Sequence, residues 1–282
     1  MPPSPENNNP TSPEQAADQH IDEILARRQE RRATRAAALA AHPQPLTIRT
    51  QLIRPLAAAE AAAPPPAPAV AQTAGYLLAI GDSWFDYPLN DVLTRLDDNY
   101  GYNIESSAHR GDPIESMISR VGQLDKFSRC LDKIVTLGAH PKAILVSGGG
   151  DDVAGPEFGM LINNIDLQPI PGWNDQILTG VIDIRVVAAF RLMVFSINAL
   201  CQKELGRTFP ILVHGYDYPV PDGRGFLGGG WFLPGPWLKP GLDEKLFTDI
   251  NTTTQMMTTL IDRFNAMLQK LVTEPGFQNV AY

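Results

Sequence analysis

The chain reads as an α/β protein, a three-layer sandwich around a parallel sheet. Three features predict this. Short apolar runs of strand length stand at residues 76–80, 143–147 and 211–214. Long segments of helical periodicity separate them, and the runs end in Gly-, Asp- and Ser-rich turns. Buried strands alternating with long helices form parallel sheets covered on both faces.

In chain order, residues 1–18 are rich in Pro, Asn, Ser and Glu, too polar to bury a core, and are expected to be disordered. Residues 19–41 shift to Ala, Arg, Glu and Leu, all good helix formers. Arg27, Arg28, Arg31, Arg32 and Arg35 make this helix basic, while Ile21, Ile24 and Leu25 give it only a thin apolar face. Two readings stand: a solvated, marginal helix, which the thin face favours, and a docking helix for an anionic surface or acidic partner. Pro43 stops it, and residues 55–73 form an Ala/Pro linker. Residues 1–73 are therefore a tail, partly helical, and the folded domain is residues 74–282.

The run at 76–80 is the first strand. Asn90 is the expected cap of a helix over 91–100, with Gly101 as its stop. A second strand spans 102–106. Pro113 opens a helical region that reaches about Leu137, with a break near Gly122. The third strand covers 143–147. A long helix at 181–205 carries an apolar stripe of Phe190, Val194 and Ile197 and ends at Gly206. A fourth strand at 211–214, a helix at 251–273 and the start of a fifth strand at 277–282 complete the pattern.

The chain has 282 residues, 44% hydrophobic and 19% charged, with a formal net charge of -8. That acidic balance argues against nucleic acid as a partner, since phosphate binding needs clustered Lys and Arg. Two cysteines, Cys130 and Cys201, give no disulfide framework and are expected as buried thiols. Residues 1–11 lack the apolar core of a signal peptide, and the apolar run at 192–202 is too short to span a bilayer. The expectation is a soluble, cytoplasmic protein without a transmembrane segment.

The chemistry gathers at three strand ends. Gly81-Asp82-Ser83 follows the first strand, Gly111-Asp112 the second, and Gly149-Gly150-Asp151-Asp152 the third. Acyl transfer needs a nucleophile and donors aimed at the developing oxyanion, which a serine beside backbone-exposing glycines supplies. In these three ordered blocks, over roughly residues 75–282, the sequence resembles the SGNH, or GDSL, hydrolases. The resemblance implies a flavodoxin-like strand order and a serine esterase acting through an acyl-enzyme. It implies Ser83 as nucleophile and oxyanion donor through its own N–H, and Gly111 as a second backbone donor. It implies no metal and no cofactor. The substrate would be a small-molecule, saccharide or lipid ester.

Two departures stand against the pattern. Asp151 occupies the position where the family has an asparagine that donates to the oxyanion, and an ionised carboxylate cannot donate. Either Asp152 keeps it protonated, or the site works with one donor fewer, or the loop shifts register. Secondly, the family places its triad acid and base on an Asp-x-x-His after the fifth strand. None of the five histidines here has an aspartate three residues before it. The simplest expectation is a fragment lacking that block; the alternative is a surrogate base, for which His214, followed by Asp217, is the candidate, with His109 also near the sheet edge. A catalytically impaired binding protein is the alternative function.

Other motifs fail on context. There is no Gly-x-Ser-x-Gly elbow, and the dinucleotide-like glycine pattern at 223–228 opens no helix. The Gly-, Pro- and aromatic-rich stretch at 216–241 reads either as a substrate wall, with Trp231 and Trp237 as its contacts, or as a packed surface loop.

Overall fold

The computed structural model describes residues 12–41, 73–87, 91–119, 121–155, 157–225 and 235–282. The Asn90 cap, the linker residues 55–72 and Trp231 lie outside them.

The sheet is built from β1 (Gly75–Ile80), β2 (Tyr102–Ser106), β3 (Pro141–Val146), β6 (Ile211–Val213) and β7 (Val280–Ala281). Their spatial order is β2-β1-β3-β6-β7, and every neighbouring pair is parallel. A separate antiparallel pair, β4 (Ile162–Asn163) with β5 (Gly172–Trp173), sits in the β3–β6 connection. The helices are α1 (Pro13–Ala41), α2 (Val92–Tyr100), α3 (Ile114–Met117), α4 (Gln123–Thr136), α5 (Asp175–Leu178), α6 (Val187–Leu205), α7 (Lys239–Glu244) and α8 (Ile250–Leu271).

Strand alternation sorts the core into two layers. Leu78 and Ile80 of β1, with Ile144, Val146, Ile211 and Val213, face a large core shared with α4, α6 and α8. Leu77, Ala79 and Leu145 face the other way, onto Leu93 of α2 and Phe85. The two faces are unequally covered. Among the described residues only α2 shields the second face, and Leu212 of β6 remains 43% exposed there.

Local signals explain the boundaries. α2 starts at Asp91, whose Oδ1 accepts from Thr94 N–H at 2.7 Å, so the cap is Asp91 rather than Asn90. Gly101 (φ 70°) and Gly206 (φ 69°) end α2 and α6 in the left-handed conformation. The helix expected at 181–205 starts earlier, at α5, and passes through a π-helical stretch, Thr179–Val186, before α6. That wider turn buries Ile182 and Val186 and leaves Arg185 beside Asp152.

The amino-terminal helix departs most from expectation. Its first half is not solvated: α1 begins at Pro13, inside the stretch expected to be disordered, and packs along α6 and α4 with Ile21 and Ile24 fully buried, whereas residues 29–38 are exposed as in a solvated helix. The thin apolar face suffices because three of the arginines are matched by acids of the same chain. Arg28, 6% exposed, pairs with Glu204 at 2.5 Å and Asp132 at 3.3 Å, and donates to Ser128 O. Arg31 meets Asp125 at 2.7 Å, Arg32 meets Asp132, and Lys203 reaches back to Asp18 and Asp22. Those arginines are spent within the fold, which removes the basis for an anionic docking surface on that face. No described helix is long and apolar enough to cross a membrane.

Candidate active site

The order of the sheet reverses between β1 and β3, so the chain leaves their carboxyl ends in opposite directions and opens a crevice. Gly81 ends β1 there. A Cβ at this position would meet the Phe85 ring at 2.7 Å and Ser147 Cβ at 2.8 Å, so only glycine fits. Gln123, at the start of α4, holds the Gly81 backbone from both sides. Its Oε1 accepts from Gly81 N–H at 3.0 Å, and its Nε2 donates to Gly81 O at 2.9 Å and to Asp112 Oδ2 at 2.8 Å.

Asp82 is 1% exposed and its carboxylate ties three strands together. It accepts from Ser147 Oγ at 2.5 Å, Tyr216 Oη at 2.9 Å and Trp84 N–H at 3.1 Å. Tyr216 Oη in turn accepts from Gly150 N–H at 2.9 Å. Burial, and then the charge of Asp82, push the Tyr216 phenol well above its ordinary value, so it remains a donor. Asp82 therefore acts as a structural anchor that fixes the turn carrying the next residue.

That residue, Ser83, begins a short 3-10 turn, Ser83–Phe85, at the crevice. Its hydroxyl makes no hydrogen bond with any described residue. Across the crevice the Gly111 N–H is near enough to the Asp151 carboxyl to lower it, while Oδ2 is buried and unpartnered. The Asp151 carboxyl is raised from 3.8 to about 7, by burial first and then by the charges of Asp82, Asp152 and Asp112, against the lowering by Gly111 N–H. Asp152 lies deeper. It accepts from Ile114 N–H at 2.8 Å and faces Arg185 at 3.7 Å, and burial raises it too. Of the alternatives open for Asp151, a proton held by burial and neighbouring carboxylates fits these surroundings. The largest cause is burial rather than Asp152.

Ser83, Asp151 and Trp237 line one cavity of about 620 Å³, within the range of small-molecule sites. Trp237 is 37% exposed, and its carbonyl accepts from Gly155 N–H at 3.1 Å. Gly111, at φ 80°, does not line the cavity but acts on the Asp151 carboxyl through its N–H.

The histidines stand apart from the Ser83 hydroxyl. His214 Nδ1 lies 2.8 Å from Gly215 O, which only accepts, so Nδ1 carries the proton and Nε2 presents its lone pair. The ring is packed among Trp84, Phe85 and Tyr216, with centroid separations of 5.6–5.8 Å, and Nε2 is buried without a partner. Asp217 does not bond it; its Oδ1 accepts from Tyr218 N–H. His109 is 57% exposed and pairs through Nδ1 with Asp112 Oδ1 at 3.0 Å; neither it nor His214 lines the cavity. Among the described residues no group of three or more His, Cys, Asp or Glu is placed to hold a metal.

The tethers Gln123, Ser147 and Tyr216 escape a reading of motifs. Ser147 had a signal, a polar residue closing a buried strand before three glycines. Tyr216 had none, because its partners are 66 and 134 residues away.

No family model matches the chain, and no curated protein matches it. Among solved structures, a mutant of the esterase AlinE4 is similar at 16% sequence identity. The likeness covers 74% of this chain and 76% of that one, with a TM-score of 0.35.

Proposed function

We propose that this chain is a serine ester hydrolase of the SGNH, or GDSL, type. One observation carries the reading: Ser83 and Asp151, which follow the adjacent parallel strands β1 and β3, line one cavity, and the Gly111 N–H, after β2, acts on the Asp151 carboxyl. The strand order, 2-1-3-4-5 within the main sheet, supports the flavodoxin-like form of that fold.

In this mechanism Ser83 Oγ attacks the ester carbonyl. The developing oxyanion faces the N–H groups of Ser83 and Gly111. Asp151, protonated, turns its hydroxyl onto the same oxygen in place of the family's amide, which leaves the Gly111 N–H free to face it too. His214 accepts the serine proton at Nε2 and returns it to the leaving alcohol; water then releases the acid from Ser83. Its tautomer is the one a base requires, and its ring touches Trp84, the residue after the nucleophile. Ser83 and His214 are not hydrogen-bonded at rest, so this mechanism requires them to close on each other when substrate is bound. The reaction needs no metal or cofactor.

The unpartnered Ser83 hydroxyl favours a second reading, a binding protein that keeps the cleft without turnover. Hydrolysis of p-nitrophenyl esters separates the two. The esterase reading expects turnover that falls at least about 10³-fold in Ser83→Ala and about 10²-fold or more in His214→Gln. Turnover equal in the parent and Ser83→Ala would remove Ser83 as nucleophile.

A further inference from the structure

The same cavity has two kinds of wall. Its floor, at the sheet, carries Ser83 and Asp151, while charged groups, Asp91, Arg95 and Asp217, also border it. Another wall is a stripe on α8, where Met257, Leu260, Ile261 and Phe264 recur at the three- and four-residue spacing of one helix face. Val153, after β3, and Leu238, before α7, add to the apolar lining. Apart from the weak acceptor of the Met257 thioether, these six side chains bring no hydrogen-bond donor or acceptor to the space they enclose. Sugar hydroxyls pressed against them would lose their water without replacement, at a cost for each group. Methylenes placed there gain by leaving water.

We infer that the cavity is an acyl pocket, and that the substrates are esters of medium-length aliphatic acids, with the acyl chain lying along α8 and the alcohol portion toward the charged groups. This rests on the ester-hydrolase reading and decides between the lipid and saccharide esters that the sequence leaves open. The α8 stripe also sets the chain length the pocket accepts, because Phe264 is packed against Tyr216 at 5.2 Å between ring centroids and cannot retreat.

The test has two arms, one of which does not depend on turnover. In the first, kcat/KM is measured on p-nitrophenyl esters from acetate to dodecanoate. Burial of each methylene predicts a rise of about three- to four-fold per CH2 up to the length that fills the pocket, and no gain beyond it. Leu238→Trp, at a half-buried loop position, should shift the optimum to shorter chains. In the second arm, calorimetry of the Ser83→Ala protein compares octanamide with butanamide, uncharged analogues that carry the acyl carbonyl. Octanamide should bind at least tenfold more tightly. Tight octanamide binding with no ester turnover would uphold the acyl pocket and refute the hydrolase reading. Equal affinity for the two amides, or acetate esters turned over as fast as octanoate esters, would overturn the acyl pocket.

Discussion

Replacing Asp151 with asparagine isolates the group at this site whose charge changes near neutrality. The substitution keeps the side-chain shape and fixes a neutral, donating form at every pH. In the folded chain the Asp151 carboxyl is raised from 3.8 to about 7, by burial first and then by Asp82, Asp152 and Asp112. The folded state thus holds this proton more tightly than the unfolded chain does. The stability it contributes is fully present below pH 3.8 and is lost as the pH rises through about 7. Without screening the loss would be about 4 kcal/mol; Asp151 is only partly buried, and solvent screening of roughly half leaves about 2 kcal/mol. For a chain of this size that is roughly 4–8 °C in Tm. Asp151→Asn should therefore melt roughly 4–8 °C above the parent at pH 8.5, with the difference vanishing near pH 4. In ester hydrolysis the parent should lose activity as the pH rises through about 7. The variant should keep it, and at pH 8.5 should be faster by up to about 30-fold, because roughly 3% of the parent's Asp151 is still protonated there. Scanning calorimetry and a pH–rate profile read both effects. A variant slower than the parent at pH 8.5, or a Tm difference that ignores pH, would refute the assignment of a protonated Asp151.

Tyr216→Phe removes a donor to Asp82 and the acceptor of Gly150 N–H, so it should destabilise by about 2 kcal/mol, a fall of roughly 4–8 °C by calorimetry. Gly149→Ala should cost about 2–3 kcal/mol in urea titration. Gly149 has φ 92°, and a Cβ there would lie 2.5 Å from the Phe264 ring. Arg28→Ala leaves Glu204 and Asp132 facing a void under α1, and the expected loss is about 2 kcal/mol, visible as faster proteolysis within residues 13–41.

The framework was legible where local chemistry decides it. β2, and the carboxyl ends of α2 and α6 at Gly101 and Gly206, stand where the residues put them, because glycine in the left-handed conformation is a local requirement. The break in the helical region at Gly122 was equally local: a Cβ there would meet Ser116 O at 2.3 Å. Long-range pairing was not legible. The apolar face of α1 is thin on its own and docks only because Asp125, Asp132 and Glu204 are brought opposite its arginines. At the site, Ser83 and Asp151 share a cavity as the motif spacing suggested, and Trp237 joins them. The neutral state favoured for Asp151 depends on burial and on the carboxylates of Asp82 and Asp112, which the fold brings close. His214 and Asp217, close in sequence, do not pair, because Nδ1 of the histidine is committed to Gly215 O.

The most direct measurement is mass spectrometry of the chain after reaction with a fluorophosphonate, which labels a serine only where it is activated as a nucleophile. The account predicts a single adduct, mapped by peptide digestion to Ser83, that disappears in Ser83→Ala and forms much more slowly in His214→Gln. An unlabelled chain, or an adduct on any other residue, would contradict it.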